Sequence, residues 1–144
     1  MVDRLELHAA AVRLVGQVRE RPGTDSHPFI EWAHELCSMG RNIGDEVPWC
    51  SSGLNALCFM LGLPRSGSAA ARSWLKVGQS IEIAEAQRGD VVIFKRGTGP
   101  GQADKSVLVA PGHVAVLDHF DSTTKLLHVL GGNQNNEWSM AKFP

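Results

Sequence analysis

Apolar residues recur at three- and four-residue steps through the first half of this chain and at alternating or continuous positions through the second. Leu5, Ala9, Val12, Val15 and Val18 predict a first helix over 5–18 with a single apolar stripe. The turn cluster Pro22-Gly23-Thr24-Asp25-Ser26 stops it. A second helix begins near Ser26 or His27-Pro28, with Phe29, Trp32, Ala33, Leu36 and Cys37 as its expected buried stripe, and Met39-Gly40 ends it. A loop from Arg41 to Val47 leads to Pro48. A proline at or just before a first helical turn is a start signal, because the amide it lacks has no intrahelical partner there. The third helix therefore begins at about Cys50, takes Leu54, Leu57, Cys58 and Leu61 as its core face, and closes at Gly62. Ala69 to Leu75 reads as a short helix carrying Arg72 and Trp74.

Beyond this point the period changes. Arg88-Gly89-Asp90 is a turn, and Val91-Val92-Ile93-Phe94 is a β-branched and aromatic run. Gly97 to Pro111 is rich in glycine and proline and predicts a long surface loop. His113 to Leu117 is a second strand, turned by Asp121-Ser122-Thr123-Thr124, and Leu126 to Leu130 is a third, ending in Gly131-Gly132-Asn133-Gln134-Asn135-Asn136. Trp138 to Ala141 supplies a fourth. Helices followed by antiparallel strands make an α+β fold. At 144 residues the chain is expected to be one domain, 1–144, helical over about 1–76 and sheet over about 88–144.

Composition narrows the functional classes. The chain is 43% hydrophobic and 20% charged with a formal net charge of −1, so it lacks the basic face a nucleic-acid binder needs. It has no run of about 18 apolar residues to span a membrane, and its start, Met1-Val2-Asp3-Arg4-Leu5-Glu6, has no apolar core of a secretory signal. Three cysteines cannot all pair within the chain, which points to synthesis in a reducing cytosol.

The candidate chemistry centres on Cys50. In the first turn of a helix, exposed amides and the positive end of the helix dipole stabilise a thiolate. Cys37 and Cys58 instead fall on apolar helical stripes and read as inert core. Among six histidines, His8 and His34 are expected at surface or boundary positions and His27 as a helix cap. His113 heads a strand after Gly112 and a long loop, where it can project over a helix end. His119 shares strand parity with His113, and His128 falls on the next strand. A cysteine nucleophile needs a base and a third group to hold the imidazole in the useful tautomer. Asn133, after the following strand, is placed to approach His113. No close His/Cys/Asp ligand spacing occurs, so no metal site is expected.

Taken together, Pro48-Trp49-Cys50-Ser51-Ser52 with Asn55, Gly67-Ser68-Ala69-Ala70-Ala71-Arg72-Ser73-Trp74-Leu75, Arg88-Gly89-Asp90-Val91-Val92-Ile93-Phe94, Gly112-His113-Val114 and Leu130-Gly131-Gly132-Asn133-Gln134 carry a resemblance. In that order they resemble a phage-associated branch of the NlpC-like and CHAP (cysteine, histidine-dependent amidohydrolase/peptidase) cysteine peptidases, over roughly Glu31 to Pro144. The resemblance implies a papain-like fold and hydrolysis of an amide bond in bacterial peptidoglycan, at the muramoyl–L-alanine amide or within the stem peptide or cross-bridge. It implies Cys50 as nucleophile, His113 as base and then acid, and Asn133 as orienting residue, with the Cys50 amide in the oxyanion hole. Trp49, Trp74 and Gln134 are expected to contact substrate, with packing the alternative for Trp49. CHAP enzymes often place a glutamate two residues before the asparagine, where this chain has Gly131. Many relatives use a histidine as third member, which keeps His128 as the alternative.

The expected role is that of an endolysin: made in the host cytoplasm without a signal peptide, released to the cell wall, monomeric, without cofactor. Its partner is peptidoglycan, not nucleic acid or membrane. An antibacterial effector with the same chemistry and a non-catalytic wall-binding module are the alternatives.

Overall fold

The computed structural model describes residues 2–21, 26–39, 47–95 and 112–144. Three α-helices come first: α1 (Val2–Leu14), α2 (Pro28–Leu36) and α3 (Cys50–Leu61). Two short 3₁₀ turns, Ala71–Lys76 and Ile83–Glu85, lead to four strands: β1 (Val91–Lys95), β2 (Gly112–Asp121), β3 (Leu126–Gln134) and β4 (Glu137–Phe143). The strands form one antiparallel sheet in the order β1-β2-β3-β4, so the fold is α+β. Among the described residues, no helix is long and apolar enough to cross a membrane.

Local chemistry explains the helix ends. Pro28 opens α2, and the imidazole of His27 accepts the Phe29 amide at 3.1 Å, the capping role its turn position predicts. α3 begins at Cys50, directly after the Pro48-Trp49 step. It closes on Gly62, which adopts a left-handed φ of 72° and, with Leu63, satisfies the last carbonyls.

Two buried stripes differ from those the periodicity predicts. α1 stops at Leu14, and the chain turns at Gly16. Its buried residues are Leu7 and Ala11, while Leu5, Val12 and Val15 are exposed. Leu7, Ala10, Ala11 and Leu14 also follow helical spacing, so the helix has two apolar stripes, and packing on α3 and β2 selected this one. In α2 the buried residues are Ile30, Ala33 and His34. His34, expected near the surface, is fully buried.

α3 packs on β2 and β3. One sheet face presents Val114, Val116, Leu130 and Trp138 to a core shared with Leu7, Ile30, Trp49, Leu54 and Leu57. The other face carries a second cluster, Ala115, Leu117, Leu127 and Val129, with Val92, Phe94 and Phe143 packed against it. Two irregularities break the strand alternation: one between Leu117 and His119 on β2, one between Gly131 and Gln134 on β3. The first upsets the parity that the spacing gives His113 and His119. Residues 41–46 and 98–111 of the two predicted loops lie outside the described residues.

Candidate active site

Cys50 is the first residue of α3 and is 5% exposed. Each of its chain neighbours is tied down. Trp49 is wholly buried, with its ring against Gly53 and Gly132 and its indole N–H donating to Glu20 Oε2 at 3.1 Å. Ser51 Oγ donates to the Ser68 carbonyl at 2.6 Å and accepts the Trp74 indole N–H at 2.9 Å. Ser52 Oγ meets His34 Nδ1 at 2.8 Å, and His34 Nε2 meets the Val47 carbonyl at 3.3 Å. A carbonyl can only accept, so the His34 proton sits on Nε2, and Nδ1 accepts from the Ser52 hydroxyl. Asn55 spans the segment behind the helix, accepting the Gly67 amide at 2.7 Å and donating to Ser66 Oγ at 3.1 Å and the Ser68 carbonyl at 3.2 Å. Trp49 and Trp74 therefore serve as buried posts that fix the helix head. Trp49 is wholly enclosed, so it cannot be the substrate contact expected of it, and Trp74 spends its one donor on Ser51 while a small part of its ring lines a cavity with Leu7, Cys58 and Val77.

His113 stands one residue into β2 and is 3% exposed. Its Nε2 lies 2.9 Å from Gln134 Oε1. The orientation of that carboxamide is fixed from its other end: Gln134 Nε2 donates to the Ser139 carbonyl at 2.6 Å. With the amide nitrogen committed to a carbonyl, the oxygen faces the imidazole, and His113 must carry its proton on Nε2. The lone pair of the neutral ring is then on Nδ1, the atom that can take a proton. Ser139 Oγ donates back to the Gln134 carbonyl at 2.9 Å, closing a reciprocal pair between β3 and β4.

The residue on the imidazole is thus Gln134, not Asn133. Asn133 is half-buried with a left-handed φ of 58° inside the β3 irregularity, a backbone role asparagine fills more readily than most residues. The irregularity swings Gln134, expected to touch substrate, onto His113 instead. A signal was present in the sequence: a Gly-Gly-Asn run within a strand marks a bulge, which shifts side-chain parity by one residue.

His128 lies elsewhere. It pairs with His119 across the strands, and their rings stack at 4.1 Å. Six residues along β3 separate it from Gln134, roughly 20 Å at strand rise. His119 Nδ1 and His8 Nε2 both bond the Asp118 carboxylate, the latter at 2.7 Å. Burial pushes that carboxyl up, but these two hydrogen bonds and the Arg88 charge outweigh it and hold Asp118 below its ordinary value.

The helix head and the histidine share one end of the sheet. Trp49, next to Cys50 in the chain, packs on Gly132, and two residues beyond Gly132 is the glutamine that holds His113. Arg72, 2% exposed and given no special part by sequence reasoning, lies against Gly112 just before His113. No family model, curated protein or solved structure matches this chain.

The remaining thiols have a different character. Burial raises Cys37 above its ordinary value and pushes Cys58 up to about 12, so both are poor nucleophiles at neutral pH. Among the described residues, no group of three or more His, Cys, Asp or Glu side chains is arranged to hold a metal ion.

Proposed function

We propose that this chain is a cysteine-dependent peptidoglycan hydrolase with a papain-like fold, in which Cys50, His113 and Gln134 form the catalytic set. The observation that carries the reading is the His113 Nε2–Gln134 Oε1 bond, with the amide locked by Ser139. It makes Nδ1 the basic atom, on β2, one of the two strands that α3 packs against, with the ring itself beside Phe94 and Phe143. The substrate class rests on the ordered resemblance to NlpC-like and CHAP enzymes, with Gln134 taking the orienting role in place of Asn133.

In the proposed cycle, Cys50 Sγ gives its proton to His113 Nδ1 and attacks the scissile carbonyl carbon. The amides of the first turn of α3, that of Cys50 included, stabilise the oxyanion. As the tetrahedral adduct collapses, the imidazolium returns its proton to the leaving amine, and a thioester remains. Nδ1 then takes a proton from water, the hydroxide attacks the thioester carbon, and the acid leaves as the thiol is restored. Through both steps Gln134 keeps the Nε2 proton in place.

The test is hydrolysis of purified peptidoglycan, read by mass spectrometry of the products. A freed L-alanine amino terminus identifies an amidase, and split stems or cross-links an endopeptidase. Cys50→Ala and His113→Ala should each abolish release while folding normally; turnover in either variant sinks the mechanism.

A further inference from the structure

Two aromatic rings lie together against one side of the imidazole of His113. Phe94 stacks on it with ring centres 6.2 Å apart and planes 24° apart, and Phe143 approaches to 5.5 Å at 36°. The two phenyl rings also stack on each other at 4.6 Å. Both are half-buried, whereas His113 is 3% exposed, so they form the cover and the imidazole lies beneath.

The two rings arrive by different routes. Phe94 is the direct register partner of His113 on the neighbouring strand, so its contact follows from strand pairing. Phe143 is in register with Leu127, near the opposite end of β3 from Gln134. Strand register alone leaves it roughly 20 Å along the sheet from His113. The rings meet because the twisted sheet curls diagonal corners towards each other on the face of the second cluster.

We propose that Phe143, together with Phe94, is a positioning residue for His113. The Gln134 bond acts in the plane of the imidazole and does not by itself set the tilt of the ring. Stacked phenyl faces set the ring plane. They also keep water from competing for the Nε2–H···Oε1 bond, which strengthens a bond that solvent would weaken. β4 thereby supplies both restraints, Ser139 through Gln134 in the ring plane and Phe143 across its face. The inference rests on His113 being the base, so its test is read independently of turnover as well as through it.

The experiment compares full-length wild type with Phe143→Leu, which keeps apolar bulk and removes the ring, and Phe143→Tyr, which keeps the ring. Proton NMR follows exchange of the His113 Nε2–H with water, and kcat and KM are measured on purified peptidoglycan. Phe143→Leu should speed Nε2–H exchange about tenfold or more and lower kcat about 10- to 100-fold with KM unchanged, as misplacement of a catalytic group does. Phe143→Tyr should restore both to within about threefold of wild type. Phe94→Leu repeats the test from the other ring if Phe143→Leu folds poorly. Unchanged exchange in a folded leucine variant overturns the proposal, whether or not kcat falls. If the wild type cleaves no peptidoglycan, the hydrolase reading fails, while the exchange comparison still decides whether the rings hold the imidazole.

Discussion

Gly132→Ala isolates the packing that holds the helix Cys50 heads. The backbone at Gly132 is outside the left-handed region, so the substitution tests space and not strain. A methyl there would sit 2.5 Å from Trp49 Cε3, still closer to Cζ3, and 3.3 Å from Trp138 Cε3. Relief requires the indole of Trp49 to shift by about 1 Å to regain an ordinary contact. Its freedom to do so is small: the ring is wholly buried, the same edge also lies close to Gly53, and its N–H is tied to Glu20. The cost belongs at the upper end for an overpacked core, about 3 kcal/mol. For a domain of this size that is a fall in melting temperature of roughly 10 °C. Gly62→Ala is the matched control, with left-handed φ but nothing within 4 Å of the added methyl, and should cost about 1 kcal/mol. Urea unfolding followed by circular dichroism measures both. Because Trp49 precedes Cys50, peptidoglycan hydrolysis by Gly132→Ala should also fall well below its melting point. A Gly132→Ala variant within about 1 kcal/mol of wild type, or no worse than Gly62→Ala, refutes the account of Trp49 as a fixed post.

Other consequences are equally direct. Gln134→Ala should lower kcat on peptidoglycan about 100-fold by freeing the His113 tautomer, while Asn133→Gly, which preserves the left-handed backbone, stays near wild type; the reverse pattern returns the orienting role to Asn133. Iodoacetamide at neutral pH should label Cys50 ahead of Cys37 and Cys58, read by peptide mass spectrometry, because burial holds the latter two thiols in the protonated form; equal rates argue against an activated Cys50. The depressed Asp118 carboxyl contributes stability that is present above its unfolded value and is lost as pH falls through the folded one. Unfolding free energy in wild type should therefore drop below about pH 4 more steeply than in Asp118→Asn, and parallel curves would remove Asp118 as a source of acid sensitivity.

Much of the architecture was readable because its signals were local. Pro48 and Gly62 bracket α3 by backbone chemistry alone, and the change from helical to strand period separated the two halves. The misreadings share one cause: they depended on which of two faces a neighbour would choose. α1 carries apolar residues on both sides, and only contact with α3 and β2 selects Leu7 and Ala11. His34 looked like a boundary residue until Ser52 and the Val47 carbonyl supplied its two buried partners. Trp49 and Trp74 looked available for substrate because nothing local announces that Glu20 and Ser51 will take their indole protons. The choice between Asn133 and Gln134 turned on a bulge of one residue, which reverses side-chain direction without altering composition.

β4 is covered unevenly on its outer side. Its start is joined to the 16–20 segment by bonds from Trp138 to Val18 and from Gly16 to Trp138, whereas from Ser139 onward no outer pairing is seen among the described residues. A strand held from one side is the first to peel away, at a free energy well below that of global unfolding. On the proposed mechanism, that peeling removes Ser139 from Gln134 and Phe143 from His113 while α3 and the helical core stay folded. On that mechanism activity and structure have separate thresholds, and turnover is lost to fraying before the fold melts.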